Sequence, residues 1–218
     1  LTTGADLHTD ETDLSHHEPI MPGSSAIAAE KRRHIVETAY ELFKRAGFHA
    51  TGIDLIIARA EVAKMTMYRH FPNKESLIVE VLDWRAGRFA RQLDRAMAAR
   101  PTPKAKIATI FDWYERWFDS PDFHGCLFQH ALAEFGEHDH PVFKAVARQK
   151  DELSRCIRKT LEAGMTAAQA QRMASTLVML IEGATLLAQL GKGNAATRAI
   201  RDARKAADEL LTSRIDAQ

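Results

Sequence analysis

Along this chain apolar residues recur at i, i+3, i+4 and i+7, and no stretch sustains a period of two, so the pattern predicts helices throughout. Ser25 caps a first helix over about 26–46, with Ile35, Ala39, Leu42 and Phe43 as its inward stripe and Gly47 as its stop. Thr51 reads as the N-cap of a short helix carrying Ile53, Ile56, Ile57 and Ala60, with Asp54 placed to suit the helix dipole. After only Glu61, Val62 and Ala63, a second short helix spans about 64–71. Met67 and Phe71 share one face of it, which leaves Lys64, Met65, Thr66, Tyr68, Arg69 and His70 off that face. Pro72 ends the helix, because the residue before a proline is pushed out of the α region.

The pattern then lengthens. Asn73 is placed to cap a helix reaching about residue 99, with Leu77, Val81, Trp84 and Leu93 inward, and Pro101 and Pro103 interrupt it. A ring-rich helix follows over 104–119, then helices over about 126–135 and 141–163. Thr166 and Gln169 form a capping box for a helix to about 190, and Asn194 begins the last, to about 211. The expectation is an all-α protein of about nine helices. Its expected parts are a disordered tail over 1–24, a three-helix unit over 25–72 and a six-helix unit over 73–218.

Composition narrows the class. A chain of 218 residues that is 45% hydrophobic can bury a sizeable core. The longest apolar stretch, Leu177–Leu190, is interrupted by Glu182 and Gln189, so no membrane span is expected. Two cysteines, Cys126 and Cys156, make no disulfide framework and suit a reducing cytoplasm. Residues 1–27 hold five carboxylates and no Lys or Arg, and Met21, just before the first helix, stands as a candidate start. Residues 28–74 hold nine Lys/Arg against five Asp/Glu, a net +4, as contact with phosphates requires.

Two short helices joined by about three residues, the second presenting cations and hydroxyls, are a helix-turn-helix. The run AEVAKMTMYRHFPNKESL resembles the recognition segment of the tetracycline-repressor (TetR) family. Val62, Thr66, Met67, Tyr68, His70, Phe71, Asn73, Lys74, Glu75 and Leu77 match its pattern in register. Two positions depart from it: Glu61 stands at the usual turn glycine and Ala63 at the usual N-cap hydroxyl, each costing about 1 kcal/mol.

The resemblance implies a homodimeric, ligand-responsive transcriptional regulator, a repressor that binds a double-stranded DNA operator and leaves it when a small-molecule effector binds. It further implies that Lys64, Thr66, Tyr68, His70 and Lys74 contact phosphates or bases. Lys64 and Arg69 would read guanine edges, Met65 would meet a thymine methyl, and Thr51 would offer its hydroxyl or N–H to a phosphate. Lys31, Arg32 and Arg33 would approach a phosphate, or form a solvated basic patch. The last two helices would pair with their copies in the dimer.

The effector site is expected in the second unit, near Phe111, Trp113, Tyr114, Trp117 and Phe118, since so many rings exceed one helix face. Trp113, Trp117 and Cys126 are its expected walls, and Gln129, His130 and Glu182 its polar handles. Cys126, His130 and Glu134 share a stripe at i, i+4 and i+8, with His124, His138 and His140 nearby. A soft metal site or a thiol sensor at Cys126 would use such a stripe, but no fourth ligand can be named, and packing or a pocket wall is favoured. No cofactor or metal is expected. Phosphate-loop, dinucleotide and zinc-protease motifs are missing, which argues against an enzyme. The rival classes are a non-specific architectural DNA-binding protein and a thiol-sensing regulator using Cys126.

Overall fold

The structure is a computed structural model that describes residues 24–191 and 193–215; the acidic segment and Met21 lie outside the described residues. Among the described residues it holds nine helices and no strand: α1 (Ser24–Ala46), α2 (Ile53–Arg59), α3 (Lys64–His70), α4 (Lys74–Ala98), α5 (Pro103–Phe118), α6 (Leu127–Glu134), α7 (Pro141–Leu161), α8 (Ala167–Leu190) and α9 (Asn194–Ile215).

Local chemistry sets most boundaries. Asn73 caps α4 through a reciprocal box, its Oδ1 accepting from Ser76 N at 2.8 Å while Ser76 Oγ accepts from Asn73 N at 3.4 Å. Thr166 and Gln169 close the same box on α8. Thr102 caps α5 with Pro103 in its first turn, and His140 caps α7 by accepting from Val142 N at 3.2 Å. Gly47 ends α1 at φ 81°, the left-handed conformation that glycine adopts without strain. Two expectations fail here: Ser25 lies inside α1, which already includes Ser24, and does not cap it. Gly52, not Thr51, is the N-cap of α2, because the Thr51 hydroxyl turns back and donates to Gly47 O at 2.7 Å.

Two cores are built on these helices. The first gathers Ile35, Ala39, Phe43, Phe48, Ile56, Met67 and Phe71 from the three-helix unit. It continues without a break into Leu77, Val81 and Leu82 of α4, into Leu127, Phe128 and Ala131 of α6, and into Val142 and Val146 of α7. Each fully buried Phe, Met or Ile contributes about 1.5–3 kcal/mol, so the units at 25–72 and 73–218 share one apolar seam rather than meeting at a polar linker. The second core joins α4, α5, α7, α8 and α9 around Phe89, Ile110, Phe111, Leu153, Ile157, Leu177, Ile181 and Ile200.

By length and composition α8 is apolar enough to cross a membrane, a property that core helices share. In the fold Glu182 is ion-paired, and Ala174, Leu177, Ile181, Ala184 and Ala188 are buried against the rest of the protomer. The helix is a core element with one apolar face left open: Met179, Leu186, Leu187 and Leu190 are exposed, Leu190 by 78%.

Candidate functional site

The α2–α3 turn is closed by a pair of backbone bonds, Glu61 N to Ala58 O and Val62 N to Ile57 O, both 3.3 Å. This is a Schellman ending, and it forces Glu61 to φ 51°. The turn aims α3 so that Met67 and Phe71 enter the core. Lys64, Met65, Tyr68 and Arg69 are exposed on the opposite side, with Met65 exposed by 84%. A thioether that far into solvent has no packing role in the protomer. Among the described residues Lys64 makes only a 3.6 Å pair with exposed Asp54, which leaves it able to reach elsewhere. Ala63 stands at the N-cap of α3 with no side-chain bond, as its missing hydroxyl dictates.

Other expected contacts are placed differently. Thr51 is fully buried with its hydroxyl committed to Gly47, so that hydroxyl is not presented to a phosphate. His70 is half-buried, and its buried Nε2 has no hydrogen-bond partner among the described residues, so the ring faces inward rather than outward. Its burial, with Arg69, Arg32 and Lys31 nearby, holds its pKa below the ordinary histidine value. Thr66 is half-buried. Lys74 is half-buried and donates to His49 O at 3.3 Å; its desolvation lowers its pKa. Arg32 is occupied inside the protein: it donates to His70 O at 2.9 Å, pairs with Glu80 at 2.7 Å and lies 4.4 Å over the Phe71 ring. It therefore clamps the C-terminus of α3, a role its place in a basic triplet concealed. Lys31 and Arg33 are exposed.

Besides Arg32–Glu80 and Lys74–His49, two contacts fasten the three-helix unit to the second unit. Glu134 at the end of α6 accepts from Phe48 N (2.9 Å) and His49 N (2.6 Å), and lies 2.8 Å from His49 Nδ1. A Cβ on Gly47 would come within 2.9 Å of Glu134 Oε1, so that approach needs glycine. The second fastening is Lys44, which reaches Asp122 at 2.7 Å and Glu41 at 2.9 Å. Burial penalises the Lys44 cation, yet these carboxylates outweigh it and raise its pKa, while Lys44 in turn lowers that of Asp122.

In the second unit Phe111 and Phe118 are buried, and Trp113, Tyr114, Trp117, Phe118 and Phe123 stack edge to face or tilted at centroid distances of 5.0–5.9 Å. A cavity of about 20 Å³ remains beside them, lined by Arg85, Phe89, Trp113, Tyr114, Trp117, Cys126, Phe128, Gln149 and Lys150. Trp113, Trp117 and Cys126 are among the residues that line it. Gln129, His130 and Glu182 do not line it. Glu182 accepts from Lys150 Nζ at 2.7 Å and Gln129 Nε2 at 2.9 Å, and Gln129 Oε1 accepts from Gln189 at 3.0 Å. The half-buried carboxylate finds its partners in α7 and α6. His130 lies against Gly125. The stripe of Cys126, His130 and Glu134 is split among three neighbourhoods, and no cluster of three metal-ligating side chains occurs among the described residues. Arg85, Gln149 and Lys150 are the residues that sequence reading missed, since nothing local marks them.

A tight two-helix turn holding an outward, cation-bearing second helix over a three-helix core places this molecule in the class of helix-turn-helix DNA-binding proteins. Comparison with known proteins makes the class specific. Residues 35–81 match the family described as bacterial regulatory proteins, tetR family, and residues 103–203 match the tetracyclin repressor-like C-terminal domain. The chain belongs to the TetR family of transcriptional regulators, which are not enzymes. A solved TetR-family transcriptional regulator from Streptomyces coelicolor is 28% identical, with a TM-score of 0.76, over 82% of this chain and 94% of that one. The uncharacterized HTH-type transcriptional regulator YerO of Bacillus subtilis is 26% identical over 58% of this chain and 45% of its own length. The HTH-type transcriptional repressor KstR of Mycolicibacterium smegmatis is 32% identical over 36% of this chain and 38% of its own. The chain thus spans less than half the length of these two curated relatives.

Proposed function

We propose that the protein is a cytoplasmic, homodimeric transcriptional repressor that binds a double-stranded operator through α3 and releases it when a small-molecule effector enters the second unit. The observation that carries this is the outward face of α3, where Lys64, Met65, Tyr68 and Arg69 are exposed above buried Met67 and Phe71. Lys64 and Arg69 donate to guanine edges, Met65 meets a thymine methyl, and Tyr68 and Lys74 hold phosphates. The open apolar face of α8 supports the dimer, since two readers must reach half-sites about one groove turn apart. Glu134 and α4 supply the physical connection through which a shift around the cavity reaches the reader. The effector acts by binding the released state better than the operator-bound one.

Operator binding is measured by fluorescence anisotropy on palindromic duplexes from beside the gene. Lys74→Ala flattens the slope of log affinity against log salt by about 1, and Lys64→Ala relaxes preference at one base position. Equal affinity for operator and random duplex identifies an architectural binder instead. The thiol-sensing reading keeps one observation of its own: Cys126 Sγ lines the cavity 3.9 Å from Lys150 Nζ. Its test is loss of DNA binding on mild alkylation that Cys126→Ser abolishes.

A further inference from the structure

The second unit carries an unpaired cation beside an aromatic chamber. Arg85 makes no ion pair and no hydrogen bond among the described residues. Its guanidinium lies 6.0, 5.8 and 5.9 Å from the ring centres of Phe89, Trp113 and Trp117. With Trp113 and Trp117 it forms the partition between the 20 Å³ cavity and an outer groove of about 240 Å³ whose walls also include Tyr40, Arg88 and Gln92. A space of about 150 Å³ holds one benzene ring, so a ring needs the groove as well as the cavity, and Arg85 borders both.

The charges around the partition leave a positive remainder. Lys150 is neutralised by Glu182 at 2.7 Å. Glu41 and Asp122, the carboxylates on the groove side, share the single Lys44 cation and keep one negative charge, against the two positive charges of Arg85 and Arg88. Arg88 lies over the Trp84 ring at 4.8 Å and adds no negative charge. One further polar group at the cavity lacks a partner: Gln149 is 5% exposed, and among the described residues its buried Oε1 has no hydrogen bond. Buried polar groups are almost always satisfied, so this oxygen marks where a guest makes a bond.

We propose that the effector is a planar aromatic carboxylate carrying a ring hydroxyl: Arg85 takes the carboxylate, Gln149 Oε1 accepts a hydrogen bond from the hydroxyl, and the ring lies against Trp113 and Trp117, which line both the cavity and the groove. This rests on the reading of the second unit as an effector-binding one. Flat walls select a flat guest, the unpaired guanidinium selects an anion in bidentate geometry, and the orphan amide oxygen selects a donor. A cationic guest meets two guanidiniums, Arg85 and Arg88, against one uncompensated carboxylate charge on the groove side.

The test uses the full chain without DNA, with tryptophan fluorescence and calorimetry as readouts and 4-hydroxybenzoate as the probe. Its methyl ester, unsubstituted benzoate and benzyltrimethylammonium are the controls. The acid is expected to bind at least tenfold more tightly than the ester. Arg85→Gln erases that preference and Arg85→Lys retains part of it, each checked for folding by circular dichroism. Gln149→Leu weakens 4-hydroxybenzoate while leaving benzoate unchanged. The proposal is overturned if the ester matches the acid, if Arg85→Gln binds the acid like the wild type, if benzyltrimethylammonium competes better, or if no acid binds at millimolar concentration. Operator release is assayed separately. Release by neutral or cationic compounds with acids inert overturns the ligand class and leaves the effector-responsive repressor standing. Acid binding in a protein without operator preference supports the pocket and removes the repressor reading.

Discussion

Replacing Glu61 with glycine should stabilise this protein. Glu61 is the non-glycine residue with positive φ among the described residues, held at 51° by the Schellman bonds of the α2–α3 turn. An L-residue there suffers a clash of Cβ with the backbone worth about 1–2 kcal/mol. Glycine removes the clash but gives back about 0.5–1 kcal/mol, because its unfolded chain is freer. The net gain is about 0.5–1 kcal/mol. For a chain of this length that raises Tm by about 1–4 °C, readable by calorimetry or urea denaturation. Glu61→Ala is the control: it removes the same charge and keeps the Cβ, so it should leave Tm nearly unchanged. A gain from alanine equal to that from glycine would show that charge, not backbone conformation, sets the cost, and a lower Tm for Glu61→Gly would refute the strain argument outright.

Three other expectations follow from named contacts. Glu134→Ala strips two backbone donors, Phe48 N and His49 N, of their acceptor and should cost about 1–3 kcal/mol; amides of residues 47–50 should exchange faster, and unchanged exchange would sever the proposed link between α6 and the reader. His70 has a folded pKa below its unfolded value of 6.5, so its neutral form is favoured by folding and stability declines as pH falls through 6.5. His70→Phe should reduce that decline in a pH series of Tm values, and parallel curves for variant and wild type would contradict it. Leu187→Glu should convert dimers to monomers in sedimentation, whereas a wild type that sediments as a monomer at micromolar concentration would end the dimer reading. Ala184, which the apolar run of the sequence offers as an equivalent position, is 4% exposed inside the protomer, so a charge there reports on folding instead.

How much was legible in the sequence follows the range of the interactions. The boxes Asn73–Ser76 and Thr166–Gln169, the stop at Gly47, the left-handed Glu61 and the inward pair Met67 and Phe71 depend on partners within five residues, and pattern and stereochemistry determine such features by themselves. The same locality explains the miss at Thr51, where two local bonds competed: a threonine able to cap α2 bonded four residues back instead. The site was decided by distant partners. Arg32 meets His70 across 38 positions, Glu182 meets Lys150 across 32 and Gln129 across 53, and Glu134 reaches Phe48 across 86. No local spacing encodes those pairings, because each depends on which helix faces come together once the apolar seam is buried. The ring-rich stretch 111–118 announced an aromatic wall. Only the packing of α4, α5 and α7 decided that Arg85 and Gln149, rather than His130 and Glu182, are the polar groups left facing it.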